Sequence, residues 1–179
     1  MAYLQPLELD EITDPELRDL VVRSEELGVP GGEFARILAR KPEQAKATLS
    51  VMLYNFNEGN IDHRLKEIIR IQLARFIEDG YSASQRSAQA QQMGVSEDEI
   101  DAGSDDYEDS EHFTEAEKAA LRYAEQMFLD STKVDAAMYA DLKSHYSEPE
   151  VMELGAFIAL FHAAHMVMRS MGLTAPAAH

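Results

Sequence analysis

The chain has 179 residues, 45% of them hydrophobic, 27% charged and 8% aromatic, which suits one compact domain over 1–179 that buries about 70% of its unfolded surface. Its 16 basic and 33 acidic residues give a formal net charge of −17, a field that repels phosphate backbones and argues against nucleic-acid binding and anionic-membrane docking. Cysteine is absent, which removes disulfides, thiolate metal sites, iron–sulfur clusters and cysteine redox cycles together. No apolar run approaches the ~20 residues of a bilayer span. The acidic N-terminus MAYLQPLELDEITDPEL lacks the basic-then-apolar pattern of an export signal, so the expectation is a cytoplasmic protein with no membrane.

Helical spacing of apolar residues predicts helices at about 14–27, 32–39, 42–57, 62–78, 82–93, 96–102, 114–130, 134–145 and 149–171. Four starts carry Ser/Thr-x-x-Glu boxes: Thr13 with Glu16, Ser96 with Glu99, Thr114 with Glu117, and Ser147 with Glu150. In each, a hydroxyl accepts from an orphan N–H while the glutamate accepts from the cap. Gly28, Gly59, Gly80, Gly94, Gly103 and Gly172 close or interrupt helical runs. Period-two alternation never persists, so the fold class is all-α. The stretch 96–117 holds eleven acidic residues and no Lys or Arg, which makes 103–112 a solvated loop. A calcium loop is the alternative, but Asp101, Asp105 and Asp109 do not follow the EF-hand order of ligands and glycine.

Two helices are apolar nearly all round: 62–78, with Leu65, Ile68, Ile69, Ile71, Leu73, Phe76 and Ile77, and the last, with Val151, Leu154, Phe157, Ile158 and Phe161. A helix without a polar side is central or shared with another subunit, and both fates are expected here, hence a homo-oligomer. The methionines concentrated in 152–171 fit adaptable packing and need no cofactor.

Residues Ile61-Asp62-His63-Arg64-Leu65-Lys66-Glu67-Ile68-Ile69-Arg70 lead into a helix, followed by a second ending Gln92-Met93-Gly94-Val95-Ser96-Glu97-Asp98-Glu99-Ile100. With Phe113-Thr114-Glu115-Ala116-Glu117-Lys118-Ala119-Ala120-Leu121 and 150–172, this pattern resembles the carboxymuconolactone decarboxylase family, which includes the alkylhydroperoxidase D-like proteins, over about 30–172. The resemblance implies an all-helical dimer, trimer or hexamer with its site near a subunit boundary. Redox members carry a Cys-x-x-Cys-x-x-x-His run whose positions, counted back from Gly94, fall on Asp79, Ser82 and Arg86. A tyrosine between the cysteines matches Tyr81, and a glutamate twelve residues before the first matches Glu67. Thiol peroxidase activity is therefore not expected, because that cycle needs a nucleophilic and a resolving thiol. The decarboxylase branch commonly has histidine where Arg86 stands.

Placed on one helix, Ser82 and Arg86 are i and i+4, with Asp79 just before the first turn. Asp79 then either caps the helix and pairs with Arg86, or leaves Arg86 free to clamp a substrate carboxylate with Ser82. Glu67 is either paired with Arg64 or Arg70, or desolvated with a raised pKa suited to acid–base work beside Tyr81. His162 and His165, i and i+3, form a metal or proton-transfer pair or else pack as hydrogen-bonded histidines at a seam. His63, His112, His145 and His179 read as surface residues without a task. No glycine-rich phosphate loop, Gly-x-Ser-x-Gly elbow or His-Glu-x-x-His occurs.

The leading expectation is decarboxylase- or lactone-type acid–base chemistry on a small carboxylate-bearing molecule. Glu67 moves the proton, Tyr81 and His162 or His165 assist, and Arg86, Ser82 and Asp79 hold the substrate, with no cofactor and no metal. Such reactions develop an enolate that donors and a cation stabilise. The alternatives are a non-catalytic oligomeric binding or scaffold protein that has lost the redox site, and a metal site at His162 and His165.

Overall fold

The computed structural model describes residues 2–174, so His179 lies outside the described residues. Among the described residues ten α-helices follow one another: α1 (Pro15–Leu27), α2 (Gly32–Leu38), α3 (Pro42–Asn57), α4 (His63–Phe76), α5 (Gly80–Ser84), α6 (Ala88–Met93), α7 (Glu97–Asp105), α8 (Glu115–Asp130), α9 (Ala136–His145) and α10 (Glu148–Ser170). Short 3-10 turns at Leu9–Glu11 and Ser131–Lys133 complete the order, and no strand occurs among the described residues. The all-α expectation holds.

Three capping boxes stand where the sequence places them. The carboxylates of Glu99, Glu117 and Glu150 accept from the N–H groups of Ser96, Thr114 and Ser147 at 2.8, 2.8 and 2.7 Å. At α1 the cap is Asp14 rather than Thr13. Its carboxylate accepts from the Leu17 N–H at 3.1 Å, and Pro15 supplies the first helical residue, which has no N–H to satisfy.

Helix α4 is the axis of the molecule. Leu65, Ile68, Ile69, Ile71 and Leu73 are buried around it, and α10, α7, α5 and α8 all pack against it. Phe56 of α3 meets Phe157 and Phe161 of α10 at ring distances of 6.1 and 5.5 Å, closing the core on the other side. Burying each such side chain stabilises by about 1.5–3 kcal/mol. A second, smaller cluster of Leu17, Val21, Ala35, Ala45 and Leu49 joins α1, α2 and α3.

Helix α10 reaches 23 residues, with mean hydropathy 1.6 over its best 18-residue window. By length and composition it falls within the bilayer-span range that the sequence reading excluded. Phe157, Ile158 and Phe161 nevertheless sit in the protein core, and its N-terminal turns carry Glu148, Glu150 and Glu153. Its outer face leaves Met152, Met166 and Val167 exposed, and Met152 shares a hollow with the exposed Tyr54 of α3.

Two segments depart from the sequence reading. The helix expected over 82–93 is two short helices, because Gln85 and Ser87 are extended and Ser87 caps α6. The acidic stretch is also more ordered than a solvated loop. Helix α7 runs on to Asp105, Gly103 lies against Ile68 and Phe113, and Tyr107 is buried with its hydroxyl on Glu125. Cations from neighbouring helices answer the charge: Arg64 meets Glu99 and Glu117 at 2.7 and 2.6 Å, Arg75 meets Asp101 at 2.7 Å, and Arg122 meets Glu108 at 2.7 Å.

Candidate functional site

Glu67 lies midway along α4 and is 0% exposed. Its Oε2 accepts from Arg70 Nε at 3.0 Å and its Oε1 from the Ser87 N–H at 2.8 Å. The i,i+3 spacing on α4 brings the two charged groups together, and the extended backbone before α6 aims the Ser87 amide at the second oxygen. Arg70 is 1% exposed and spends its other donors on the carbonyls of Ser82 and Gln85, both at 2.8 Å. Burial alone would raise the Glu67 carboxyl, but the charge and hydrogen bond of Arg70, the Ser87 amide and nearby His63 hold it below the ordinary carboxylate range. Of the two readings left open, pairing is what the structure shows, with Arg70 as the partner.

His63 belongs to this network and is not the surface residue the sequence reading made it. It is buried, with Nδ1 3.1 Å from the Phe56 carbonyl and Nε2 2.9 Å from the Ser87 hydroxyl. Burial lowers its pKa. The chain His63–Ser87–Glu67–Arg70 thus ties α4 to the break between α5 and α6. Neither His63 nor Ser87 was singled out from sequence as a participant. Both sit at helix starts, where they read as ordinary capping-region residues.

The expected anion clamp does not form. With α5 ending at Ser84, Arg86 is not on the helix of Ser82. Its Nε and Nη2 bind Glu97 at 2.8 and 2.7 Å, and its Nη1 binds the carbonyls of Ala83 and Gln85 at 2.7 Å. The Glu97 hydrogen bond raises its pKa further. Arg86 therefore presents no fork to a ligand and does not pair with Asp79. Asp79 caps α5 instead, its Oδ1 facing the Ser82 N–H at 3.4 Å, while its buried Oδ2 has no partner among the described residues.

Tyr81 points elsewhere. Its hydroxyl and the Gln85 amide crowd Gly31, where a Cβ would come within 2.7 Å of the hydroxyl and 2.1 Å of the amide nitrogen. Gly31 has φ +89°, a conformation side chains resist, so the glycine permits this seam between α2 and α5. Burial pushes the tyrosine pKa up to about 12. Ser82 is buried and its hydroxyl donates to the thioether of Met168 on α10 at 3.1 Å.

The two histidines of α10 separate. His165 is 1% exposed and its Nδ1 has no partner among the described residues. Burial, then the charge of Arg70 and of His162, holds it well below the ordinary value of 6.5, so it is neutral. His162 lies against Phe128, with ring centroids 5.3 Å apart, and borders a shallow hollow of about 500 Å³ with Ile77, Met166, Arg169 and Ser170. No group of three or more His, Asp or Glu side chains with metal-ligand spacing occurs among the described residues.

Glu67, Ser82, Asp79 and His165 are thus gathered in the interior where α4, α5 and α10 meet. Tyr81 faces the α2 seam, Arg86 faces α7, and His162 faces outward. The residues expected to share the proton transfer and substrate binding, Glu67, Tyr81, Arg86 and His162, are therefore not brought together.

No known family profile matches the sequence, and no curated protein matches it significantly. Solved structures do match in shape. The debrominase Bmp8, solved free and as a cysteine-to-alanine variant with 2,3,4-tribromopyrrole, superposes with a TM-score of 0.78. The free form is 23% identical, over 97% of this chain and 92% of that one. An alkylhydroperoxidase AhpD core, an uncharacterized peroxidase-related protein from Ralstonia eutropha JMP134, gives a TM-score of 0.77 at 16% identity over 98% and 93%. An uncharacterized peroxidase-related protein from Silicibacter sp. TM1040 gives 0.74 at 15% identity over 97% and 92%. What these proteins share with the chain along nearly their whole lengths is architecture, and the chain has the all-helical alkylhydroperoxidase D-like fold.

Proposed function

We propose that this chain is a thiol-free, homo-oligomeric binding or scaffold protein built on the alkylhydroperoxidase D-like fold, with a structural brace where redox relatives carry their reactive residues. The state of Glu67 carries this reading. Both carboxylate oxygens are engaged, the group is enclosed, and its proton affinity is lowered rather than raised. A general acid or base working near neutral pH needs the opposite shift and an open approach for substrate. The absence of cysteine supports the same conclusion for peroxide reduction. The apolar outer face of α10 and α3 supports assembly with further copies.

The test is turnover. Purified protein is assayed with hydroperoxides, a brominated pyrrole and small lactones and carboxylates, beside intact-complex mass spectrometry. No turnover, together with a defined homo-oligomer, is expected. Turnover abolished by Glu67→Gln in a folded assembly overturns the proposal.

A second reading, decarboxylase- or lactone-type acid–base chemistry, draws on one observation. Among the described residues Asp79 Oδ2, next to Ser82, and His165 Nδ1, under the charge of Arg70, are buried without partners, and such orphaned groups cluster at working sites. In that case His165 and Asp79, not Glu67, handle the proton, and His165→Asn removes the turnover.

A further inference from the structure

The N-terminal half of α10 forms one wall of a second, unrelated cavity. This hollow of about 570 Å³ lies between α8, α9 and α10 and is lined mainly by apolar groups, among them Tyr123, Met127, Tyr139, Met152, Gly155 and Ala159. That volume lies within the range of small-molecule sites. It sits about 13 residues along α10 from Met168, close to 20 Å at 1.5 Å per residue, so it is separate from the Glu67 brace.

Its walls differ in a way that suits a flat guest. The α10 wall is low, built from Gly155, Ala156 and Ala159. Gly155 leaves room for the Tyr123 ring, because a Cβ there would stand 2.9 Å from its hydroxyl and push it aside. The facing wall carries the rings of Tyr123 and Tyr139, 6.1 Å apart and tilted by 59°. Met127 and Met152 add flexible thioethers, which adapt to aromatic surfaces. Tyr123 is 4% exposed and Tyr139 is 42% exposed. Burial first, and the Tyr139 hydroxyl second, keep the Tyr123 phenol protonated. Tyr139 is therefore the phenol open to a guest, able to donate to or accept from its polar group.

Charge narrows the class. The charged lining residues Lys143 and Glu148 pair with each other at 2.7 Å, so among the described residues the cavity offers no unpaired cation to an anion or carboxylate to a cation. The net charge of −17 further disfavours anionic guests. We infer that the α8–α9–α10 cavity is a binding site for a neutral, planar molecule of one or two rings bearing a single hydrogen-bonding group directed at Tyr139. The inference goes beyond the reading of the Glu67 brace and does not depend on it.

Calorimetric titration of the full chain with 2-naphthol tests it. Saturable binding of one molecule per chain is expected, with 2-naphthoate at least tenfold weaker because its charge is unanswered. Ala159→Phe, on an exposed part of the wall, abolishes binding while circular dichroism and melting stay unchanged. Tyr139→Phe weakens binding roughly fivefold, the worth of one net hydrogen bond. No saturable binding to the native chain overturns the site, as does undiminished binding by Ala159→Phe. Native assemblies that ignore 2-naphthol but dissociate on Ala159→Phe overturn it in favour of a contact between copies. If Ala159→Phe does not fold, Tyr139→Phe decides: unchanged affinity overturns the hydroxyl's role and with it the proposal.

Discussion

The two ends of α10 show opposite ways of treating polar groups. At the C-terminal end, Ser82, Arg70 and Glu67 are enclosed and almost all their bonding capacity is used within the protein. At the N-terminal end, Tyr123 and Tyr139 line an open apolar hollow, with Tyr139 exposed to it and to solvent. The paired and enclosed Glu67–Arg70 brace produces rigidity, although Asp79 Oδ2 and His165 Nδ1 beside it lack partners among the described residues. An open, partly exposed hollow is instead a place for something else to bind. The end that resembles a catalytic centre in sequence is therefore the less suited to receive a ligand.

Breaking the brace gives the largest contrast. Glu67→Gln leaves Arg70 buried without its counter-charge, and a loss of about 3–5 kcal/mol is expected in urea denaturation. Binding of 2-naphthol to the folded fraction should not change, since the cavity is on another stretch of α10. A stability change below 1 kcal/mol would show that the brace is not structural.

Acid titration sharpens the comparison from the histidine side. His165 and His63 have lowered pKa values in the folded state and an ordinary value of 6.5 when unfolded. Between these limits the unfolded chain binds more protons, so stability is full above pH 6.5 and declines as pH falls below it. His165→Leu should flatten that decline, as read from melting temperatures between pH 7 and 5. An unchanged slope would assign the loss to other groups.

Gly155→Ala is the smaller perturbation of the open end. The added methyl must displace the Tyr123 hydroxyl from 2.9 Å, with an expected cost of about 1 kcal/mol and weakened 2-naphthol binding. Arg86→Ala should matter least. Its partner Glu97 is mostly exposed, so a change within about 1 kcal/mol is expected in the same denaturation experiment, with no effect on the cavity.

Helix positions were legible because capping boxes and helical spacing are local signals. Ser96, Thr114 and Ser147 announce their helices with the glutamates three residues on. Asp14 displaced Thr13 because a carboxylate one residue later, followed by Pro15, caps as readily. The break before α6 was not legible. It depends on Arg70, fifteen residues before Gln85, drawing that carbonyl away from the helix. The same distant partner decided Glu67, whose two readings could not be separated until the Ser87 amide was seen on its second oxygen. Tyr123 and Tyr139 left no sequence signature, because their juxtaposition is made by the packing of α8 on α9.

One lysine behaves unlike a surface residue. Lys66 is 1% exposed, and its ammonium reaches the Glu58 carbonyl at 2.5 Å and Glu153 at 2.7 Å. Glu153 in turn accepts from the Asn60 and Ile61 amides. An amine-reactive reagent consequently finds Lys66 shielded as long as α10 stays seated on the 58–61 turn, so its acylation would act as a chemical clock for the lifting of that helix.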